Sequence, residues 1–390
     1  MDRPVFLEKI EKAFRTHPVV AILGPRQCGK TTLSRSYVAK KKLPGKVHLF
    51  DLEDPADLVI LENPKSALDP LEGLVIIDEI QRLANLFPII RVLVDQPKNK
   101  RQFLILGSAS RDLIKQSSET LAGRIAYIEL PPFSLFEVDE LHKLWLQGGF
   151  PNSYLAETIE DSIYWRKQYI STFLERDIPN LGLKIAPLAL RRFWVMLAHY
   201  HGQTFNASEI GKSLAIADTT ARHYLDILTG TFMIRQILPW IENIKKRQMK
   251  ALKIYFRDSG IYHTLSVISD QNSLLHHPKL GASWEGFALE QVIRDYQAEQ
   301  EECYYWGIHA EAELDLLIMK NGKRIGFECK YNDAPRLTKS MKTALETLKL
   351  DNLFVIYPGK KEYRLDEKIL VKGLPIGPET YKEFEKNQQY

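Results

Sequence analysis

The sequence predicts an α/β fold, because several patterns alternate along its 390 residues. Continuous apolar runs, such as Val19–Leu23, are typical of strands that are buried on both faces of a parallel sheet. Segments with helical spacing of apolar residues separate these runs. Near the C-terminus, the pair Asn321-Gly322 favours a two-residue turn and predicts a β-hairpin. A chain of this length is expected to contain about two to four domains.

Composition limits the class of protein. Hydrophobic residues make up 45% of the chain, which suffices for ordinary cores, and no apolar run approaches the roughly 20 residues that cross a membrane. The N-terminal segment MDRPVFLEKI lacks the apolar core of a signal peptide. Cys28, Cys303 and Cys329 show neither metal-binding spacing nor a disulfide framework, so a cytoplasmic location is expected. The net charge of +4 is too small to predict nucleic-acid binding by itself.

The first apolar run leads into VVAILGPRQCGKTT at 19–32, which contains the pattern G-x-x-x-x-G-K-[ST]. Backbone N–H groups of such a loop can surround a phosphate chain, and the helix that follows adds its N-terminal partial positive charge. Lys30 is expected to reach the β- and γ-phosphates of ATP, and the Thr31 hydroxyl to bind Mg²⁺. The expected nucleotide-binding residues are Gly24, Pro25, Arg26, Gln27, Cys28, Gly29, Lys30, Thr31 and Thr32.

A second apolar run, LVIIDEI at 74–80, ends in Asp78 and Glu79 and has the Walker B pattern. Asp78 is expected to hold Mg²⁺ through its water shell. Glu79 is expected to orient or deprotonate the attacking water.

Two further polar residues adjoin apolar runs of the same region. Ser108 follows the run at 101–107 and either senses the γ-phosphate or caps a helix that starts near Arg111. Arg124 follows a glycine and enters the run at 125–130. It either stabilises transition-state charge on the ATP of a neighbouring subunit or is an ordinary surface arginine.

Five segments together resemble a widespread prokaryotic family of AAA-like ATPases: GPRQCGKTT, LVIIDEIQR, ILGSAS, LAGRIAYIELPPFSLFE and GGFP. The likeness continues through YISTFLERDI, the segment at 219–225, KIYFRDSGI and the far C-terminus, so it covers nearly the whole chain. It implies ATP binding and hydrolysis, a winged-helix module and a nuclease-like C-terminal domain of unknown function. Arg176 in ERDI is a second candidate for contacting ATP across a subunit boundary, or else forms an ion pair within its own domain.

The segment 204–238 predicts a helix-turn-helix. Asn206 or Ser208 can cap a first helix, and Asp218 can cap a second one after the short link AIAD. The second helix would be the recognition helix, and a basic wing would contact DNA phosphates. The alternative is a winged helix that packs against protein and carries a solvated basic loop. The candidate DNA contacts are Thr219, Thr220, Arg222, His223, Lys245, Lys246, Arg247 and Lys250.

The Asn321-Gly322 turn also predicts the register of the C-terminal hairpin, with Lys320 facing Lys323. Continued along both strands, this register places Asp315 opposite Glu328 and Glu313 opposite Lys330. The other face is expected to be apolar and to combine Leu314, Leu316 and Ile318 with Cys329, Phe327 and Ile325.

Directly opposed carboxylates repel each other unless a cation lies between them, and Mg²⁺ takes carboxylate oxygens. Lys330 could then orient a water or stabilise charge on a scissile phosphate. Asp315 with Glu328-Cys329-Lys330 resembles the D…(D/E)-x-K core of PD-(D/E)XK nucleases, and Glu285 matches the helical acidic ligand of that fold. The alternative is a charged hairpin face with an ordinary Glu313–Lys330 pair.

The full prediction is an α/β chain with four domains. They are a P-loop AAA-like ATPase domain at 1–130, a helical lid at 131–200, a winged helix at 201–265 and a PD-(D/E)XK-like domain at 275–390. The expected function is ATP hydrolysis with Mg²⁺ that drives action on DNA. The expected assembly is a homo-oligomeric ring, such as a hexamer, similar in organisation to branch-migration enzymes. The alternatives are a nucleotide-gated, Mg²⁺-dependent nuclease and an ATP-dependent signalling or scaffold switch that binds a protein partner.

Overall fold

The computed structural model describes residues 3–40, 46–83, 85–97, 99–109, 120–242, 248–309 and 311–376. The chain divides into two compact units, and each contains several separate segments of the sequence. Unit 1 consists of Met1–Pro132, Thr172–Ile185 and Asp226–Met233, and unit 2 consists of Phe133–Ser171, Ala186–Leu225 and Ile234–Tyr390. Among the described residues, no helix has both the length and the apolar character that a bilayer crossing requires.

Unit 1 contains a five-stranded parallel sheet, as the continuous apolar runs predict. Its strand order is β2-β3-β4-β1-β5, so β1 lies between β4 and β5 and is buried on both faces. The edge strand β2 alternates between exposed and partly buried residues. The strands are β1 Val19–Leu23, β2 Val47–Asp51, β3 Gly73–Asp78, β4 Arg101–Gly107 and β5 Ile125–Glu129.

Helices cover both faces of this sheet. On one face, Leu7, Ile10 and Leu33 pack with Val20 and Ile22. The opposite face packs against the helix Leu86–Val94. The described helices of unit 1 are Pro4–Phe14, Lys30–Lys40, Pro55–Ile60, Pro64–Leu68, Leu86–Val94 and Ile178–Asn180, with a 3₁₀ turn at Ile80–Leu83 and a π-helical turn at Phe173–Asp177.

Unit 2 contains a nine-stranded mixed sheet in the order β13-β14-β12-β11-β10-β9-β7-β8-β6. The helix Leu280–Asp295 packs on one face, and the helix Lys339–Thr347 packs on the other. The strands are β6 Gln203–Thr204, β7 Ile234–Pro239, β8 Lys253–Phe256, β9 Cys303–Ile308, β10 Ala312–Lys320, β11 Lys323–Cys329, β12 Asn352–Ile356, β13 Tyr363–Asp366 and β14 Ile369–Lys372.

Short helices precede and separate these strands. Asn206 caps the helix Ala207–Leu214 by accepting hydrogen bonds from the backbone N–H groups of Ser208 and Glu209. A second helix, Asp218–Gly230, follows after a three-residue link, and β7 then pairs antiparallel with β8. The other described helices are Leu141–Gln147, Pro151–Tyr154, Ile159–Thr172, Pro187–His199, Ser259–Leu265, Gln271–Leu275 and the 3₁₀ turn Gln300–Glu302.

The hairpin register is confirmed where the two strands pair. Lys320 faces Lys323, and the pairing continues in step as far as Leu316 opposite Phe327. Asn321 and Gly322 both have positive φ, at 52° and 75°, as a type I′ turn requires.

The expectation for Leu314 is wrong. The pairing of β10 with β9 changes register between Leu314 and Leu317, and Leu314 packs in the same cluster as Leu317 rather than with Leu316. An irregularity of this kind interrupts the strict two-residue alternation of a strand, so the residues before it change face.

Candidate functional site

The phosphate-binding loop follows β1 at the carboxyl end of the parallel sheet. Gly24 has no room for a side chain, because a Cβ atom there would lie 2.2 Å from the carbonyl oxygen of Leu130. Arg3 anchors the loop from behind: one of its terminal nitrogens donates to the Cys28 carbonyl at 3.2 Å and the other to the Pro131 carbonyl at 2.9 Å. The loop is therefore held by neighbours that lie far from it in sequence.

Three predicted residues meet at the end of this loop. The Lys30 Nζ atom donates to the carbonyl oxygens of Gly24 at 3.0 Å and Pro25 at 2.9 Å. The Thr31 hydroxyl donates to Asp78 Oδ2 at 2.6 Å. Burial raises the pKa of Asp78, which is 4% exposed. A hydroxyl beside a carboxylate is the donor set expected around Mg²⁺ in P-loop proteins, so these residues fit that ion.

The other predicted residues of the loop lie around this centre. Cys28 is buried, and its burial raises the pKa of the thiol. Thr32 is exposed on the first turn of the helix Lys30–Lys40. Gln27 adopts a left-handed backbone conformation with φ of 60°.

Glu79 and Ser108 are joined by a residue that the sequence analysis missed. Ser108 Oγ lies 3.2 Å from Glu79 Oε2, and Gln81 Nε2 donates to Ser108 Oγ at 2.8 Å and also contacts Glu79 Oε2. Gln81 could have been suspected from its position two residues after Glu79. The alternative role of Ser108, capping a helix near Arg111, lies outside the described residues.

A second missed group surrounds Arg26. The Arg26 guanidinium contacts Asp177 Oδ1 at 2.8 Å and Glu53 Oε1 at 2.5 Å. Burial favours a lower pKa for Arg26, but Asp177 and Glu53 outweigh it, so the pKa lies above the ordinary value. Asp177 belongs to the π-helical turn Phe173–Asp177, a conformation that is frequent at functional sites.

Arg176 forms an ion pair within unit 1, which is one of its two predicted roles. Its guanidinium lies 3.4 Å from Glu53 Oε1, and its side chain is 57% exposed. A cleft joins these groups to the Glu79 cluster and is lined by Arg26, Glu53, Glu79, Gln81, Arg82, Ser108, Phe173, Asp177, Asn180, Leu181 and Thr231.

Arg124 lies at the opposite edge of the sheet from the phosphate-binding loop. Its carbonyl oxygen accepts from the N–H of Val19, the first residue of β1, whereas the loop follows the last residue of that strand. A strand of this length separates the two ends by about 16 Å. The Arg124 side chain contacts Asp95 at 2.6 Å and is 35% exposed.

Unit 2 brings the predicted acidic residues of the hairpin and its preceding helix together. Asp315 Oδ2 accepts from the Cys329 backbone N–H at 2.8 Å, and Lys330 Nζ contacts Glu328 Oε1 at 2.6 Å. Burial and the neighbouring Asp315 raise the pKa values of both Glu285 and Glu328. Within the described residues, the buried Glu328 Oε2 atom has no hydrogen-bond partner, so one carboxylate oxygen of this cluster is unsatisfied.

Two residues of β8 also enter this cluster, and the sequence analysis missed both. Lys253 Nζ lies 3.7 Å from Glu285 Oε1 and contacts Glu313 Oε1. The Tyr255 hydroxyl donates to the same Glu285 oxygen at 2.6 Å. No motif marks either residue, because they reach the cluster only through the pairing of β8 in the sheet.

These contacts change one expectation for the hairpin. Glu313 pairs with Lys253 and not with Lys330, because the Lys330 backbone continues along β12 and its side chain turns to Glu328. In the part of the chain that the structure describes, no three His, Cys, Asp or Glu side chains are arranged to hold a metal ion.

The candidate DNA contacts fall into two groups. Thr219, Arg222 and His223 are exposed on the helix Asp218–Gly230, and Thr220 is half-buried beside the buried Ala221. Lys250 is exposed, whereas Lys245, Lys246 and Arg247 lie outside the described residues.

Comparison with known families confirms the class of the first unit. Residues 16–139 match the family described as "AAA domain". Residues 138–272 and 280–376 match two families described as "Domain of unknown function (DUF8612)" and "Domain of unknown function (DUF4143)". With its phosphate-binding loop and parallel sheet, the chain is a P-loop ATPase of the AAA class.

Two curated relatives define the family more closely. The chain is 46% identical over 364 residues to "Uncharacterized protein Mb2031c" of Mycobacterium bovis, covering 93% of this chain and 81% of the relative. The same values hold for "Uncharacterized protein Rv2008c" of Mycobacterium tuberculosis. The chain belongs to the family of these two proteins.

Solved structures give weaker similarities. The Walker-type ATPase PABY2304 of Pyrococcus abyssi is 17% identical with a TM-score of 0.45, covering 68% of this chain and 95% of that one. A chain of the Drosophila ORC structure with GC-rich DNA and Cdc6 is 10% identical with a TM-score of 0.24, covering 68% of this chain and 91% of that one.

Proposed function

We propose that this P-loop ATPase uses ATP hydrolysis to act on DNA as a homo-oligomer. The exposed face of the helix Asp218–Gly230 carries the DNA part of the proposal. Its first turns present Thr219, Arg222 and His223 to solvent, while Ala221 and Leu225 are buried beneath them. A helix with this division, placed second in a helix pair, suits insertion into a DNA groove.

Hydrolysis is assigned to the residues at the end of β1 and β3. Lys30 would exchange its two loop carbonyl partners for phosphate oxygens, which the loop N–H groups also bind. Glu79, held by Ser108 and Gln81, would orient the attacking water. Thr31 and Asp78 would hold Mg²⁺, which supplies positive charge to the phosphates.

The homo-oligomer rests on the position of Arg124. Since about 16 Å of strand separates it from the loop of its own unit, it can reach ATP only from a neighbouring subunit. In this proposal Arg124 exchanges its exposed Asp95 partner for phosphate when subunits meet. Arg124→Ala should lower hydrolysis by about 10³-fold or more while ATP binding persists.

Mixing variants tests the role of Arg124. Arg124→Ala and Lys30→Ala are each expected to be inactive, and mixed subunits should regain part of the wild-type hydrolysis because each supplies what the other lacks. No recovery in mixtures that exchange subunits, as monitored by fluorescence energy transfer, would contradict the role of Arg124 in trans.

The DNA proposal is tested by ATP hydrolysis with duplex, single-stranded and branched DNA. One DNA form should stimulate wild-type hydrolysis, and Arg222→Ala should weaken that stimulation. The same change should reduce the slope of log affinity for DNA against log salt concentration by about one, which corresponds to the loss of one phosphate contact. Arg192→Ala, an exposed arginine on the helix Pro187–His199, is the matched control. Unchanged hydrolysis and no DNA binding at low salt would instead favour a switch that binds a protein partner.

The carboxylate cluster of unit 2 supports a second candidate, a nucleotide-gated nuclease. The observation that favours it is that Glu328 Oε2, beside Asp315 and Lys330, has no hydrogen-bond partner among the residues that the structure describes. If it is correct, Mg²⁺-dependent cutting of DNA is abolished by Asp315→Ala. Absence of cutting by the wild-type chain with Mg²⁺, Mn²⁺ or Co²⁺ would exclude it.

A further inference from the structure

The carboxylate cluster of unit 2 contains a positive charge from outside the hairpin. Lys253 is 4% exposed, and its ammonium group contacts Glu313 and lies 3.7 Å from Glu285 Oε1. The ring centroid of Tyr305 lies 5.4 Å from Nζ and covers the charge further. A buried lysine is rare unless it is paired, so this position has to be explained.

The same oxygen of Glu285 has two partners from one strand. Tyr255, two residues after Lys253, donates its hydroxyl proton to Glu285 Oε1 at 2.6 Å. Residues two apart on a strand share a face, so β8 presents an ammonium and a hydroxyl together to this carboxylate. The hydroxyl forms a hydrogen bond with the oxygen that a metal ion would otherwise use, and the ammonium group adds an ion pair at 3.7 Å.

The balance of charge leaves the cluster acidic. Among the described residues, two ammonium groups face the carboxyl groups of Glu285, Glu313, Asp315 and Glu328, and they belong to Lys253 and Lys330. The buried Glu328 Oε2 atom has no hydrogen-bond partner within the described residues. Part of the cluster is thus neutralised by lysines, and one buried carboxylate oxygen is left without a partner in the described part of the chain.

We propose that Lys253 is a tethered counter-ion that competes with a divalent cation for the carboxylate cluster around Glu285. While its ammonium group stays in place, Glu285 is withdrawn from the ligand set. Displacement of Lys253 would return Glu285 to Asp315 and Glu328 and complete a site of three carboxylates. This proposal does not depend on DNA binding or on ATP hydrolysis.

The test measures Mn²⁺ binding to the full chain by electron paramagnetic resonance without nucleotide. Every protein carries Asp78→Asn, which removes the metal ligand assigned to the phosphate-binding loop. Lys253→Met should bind one Mn²⁺ about tenfold or more tightly than the Lys253 parent, because a positive charge next to the ligands has been removed. Adding Glu285→Gln should abolish the gain.

Two matched controls separate charge from packing. Lys253→Arg keeps the positive charge and should bind Mn²⁺ no better than the parent. Lys368→Met removes an exposed lysine of unit 2 and should also leave the affinity unchanged.

Equal Mn²⁺ affinity of the parent and Lys253→Met overturns the proposal, and so does a gain that survives Glu285→Gln. If Lys253→Met does not fold, Lys253→Gln, which keeps an amide donor toward Glu313, takes its place with the same expectation.

Thermal unfolding of the parent is an independent measurement. Millimolar Mg²⁺ should not stabilise the parent, and a stabilisation that requires Glu285 overturns the proposal.

Discussion

The two acidic sites of this chain are built in different ways. In unit 1, Asp78 binds the Thr31 hydroxyl and the backbone N–H of Glu79, and all three residues belong to recognisable motifs. In unit 2, Asp315 binds a backbone N–H, while its acidic neighbours are paired with Lys253 of β8 and with Lys330, which follows β11. The first site therefore depends on short segments with fixed spacing, and the second depends on how distant strands pair.

This difference determines which residues each site depends on. A motif site tolerates changes elsewhere but fails when one of its own residues is removed. A site assembled by the sheet depends equally on buried groups that hold the sheet and its helices together.

Among the changes that compare the two sites, Lys30→Ala should produce the largest effect, because Lys30 supplies positive charge directly to the phosphates. We expect ATP hydrolysis to fall by about 10²–10³-fold, with little change in the unfolding of the chain. Phosphate release is the measurement, and Lys65→Ala, an exposed lysine of unit 1, is the control. Hydrolysis within about threefold of wild type would show that the motif site is not the catalytic one.

The buried histidines of unit 2 predict a loss of stability in acid. His263 Nδ1 lies 3.0 Å from the Leu146 carbonyl oxygen, and Nε2 lies 2.7 Å from Ser283 Oγ. The carbonyl can only accept, so Nδ1 carries the proton and Nε2 accepts from Ser283. Burial lowers the pKa of His263 to about 3, with smaller effects of Arg166 and His277, and burial also lowers the pKa of His201 to about 3.

Because each folded pKa lies below the unfolded value near 6.5, only the unfolded chain gains protons as the pH falls from 6.5 toward 3. Each histidine therefore removes about 1.4 kcal/mol of unfolding free energy per pH unit in this window. All six tryptophans lie in unit 2, so their fluorescence reports its unfolding. His263→Gln should flatten the pH dependence by the contribution of one histidine, whereas His142→Gln, at an exposed position, should not. Parallel curves for wild type and His263→Gln would contradict the buried neutral state.

The same contrast explains what could be predicted from sequence. The register of the hairpin follows from Asn321-Gly322, and the nucleotide site follows from Lys30, Thr31 and Asp78, because each is encoded within a few residues. Lys253 could not be predicted, since its contacts with Glu285 and Glu313 arise only when β8 joins the sheet. Asp177 reaches Arg26 across 151 residues for the same reason. Leu314 changes face through an irregularity in pairing that no residue pattern marks.

Asp258 connects the segments GGFP and KIYFRDSGI, two of the segments that resemble the AAA-like ATPase family. Its substitution tests whether they form one structural element. Its carboxylate accepts from the N–H groups of Gly149 at 2.7 Å and Ile261 at 2.9 Å. Gly148 has φ of 78°, and a Cβ atom there would lie 2.2 Å from Asp258 Oδ1. The two segments therefore pack too closely for any side chain at this glycine.

Asp258→Asn replaces one acceptor oxygen with a donor and should destabilise unit 2 by about 1–3 kcal/mol. Urea unfolding followed by tryptophan fluorescence measures the effect, and Asp139→Asn, at an exposed position, is the matched control. An unchanged urea midpoint would mean that these hydrogen bonds contribute nothing to stability. ATP hydrolysis by the folded variant should stay close to wild type.

Arg176→Ala should have the smallest effect on stability and the most informative effect on activity. The pair with Glu53 is 3.4 Å long and the arginine is 57% exposed, so its loss should cost less than about 0.5 kcal/mol. If Arg176 serves only this pair, hydrolysis stays within about twofold of wild type, because Arg26 still contacts Glu53 and Asp177. A fall of about 100-fold at unchanged stability would instead place Arg176 on the ATP of a neighbouring subunit. In that case, mixing Arg176→Ala subunits with Lys30→Ala subunits would restore part of the hydrolysis. Comparing this mixture with the mixture of Arg124→Ala and Lys30→Ala would show which of the two arginines acts in trans.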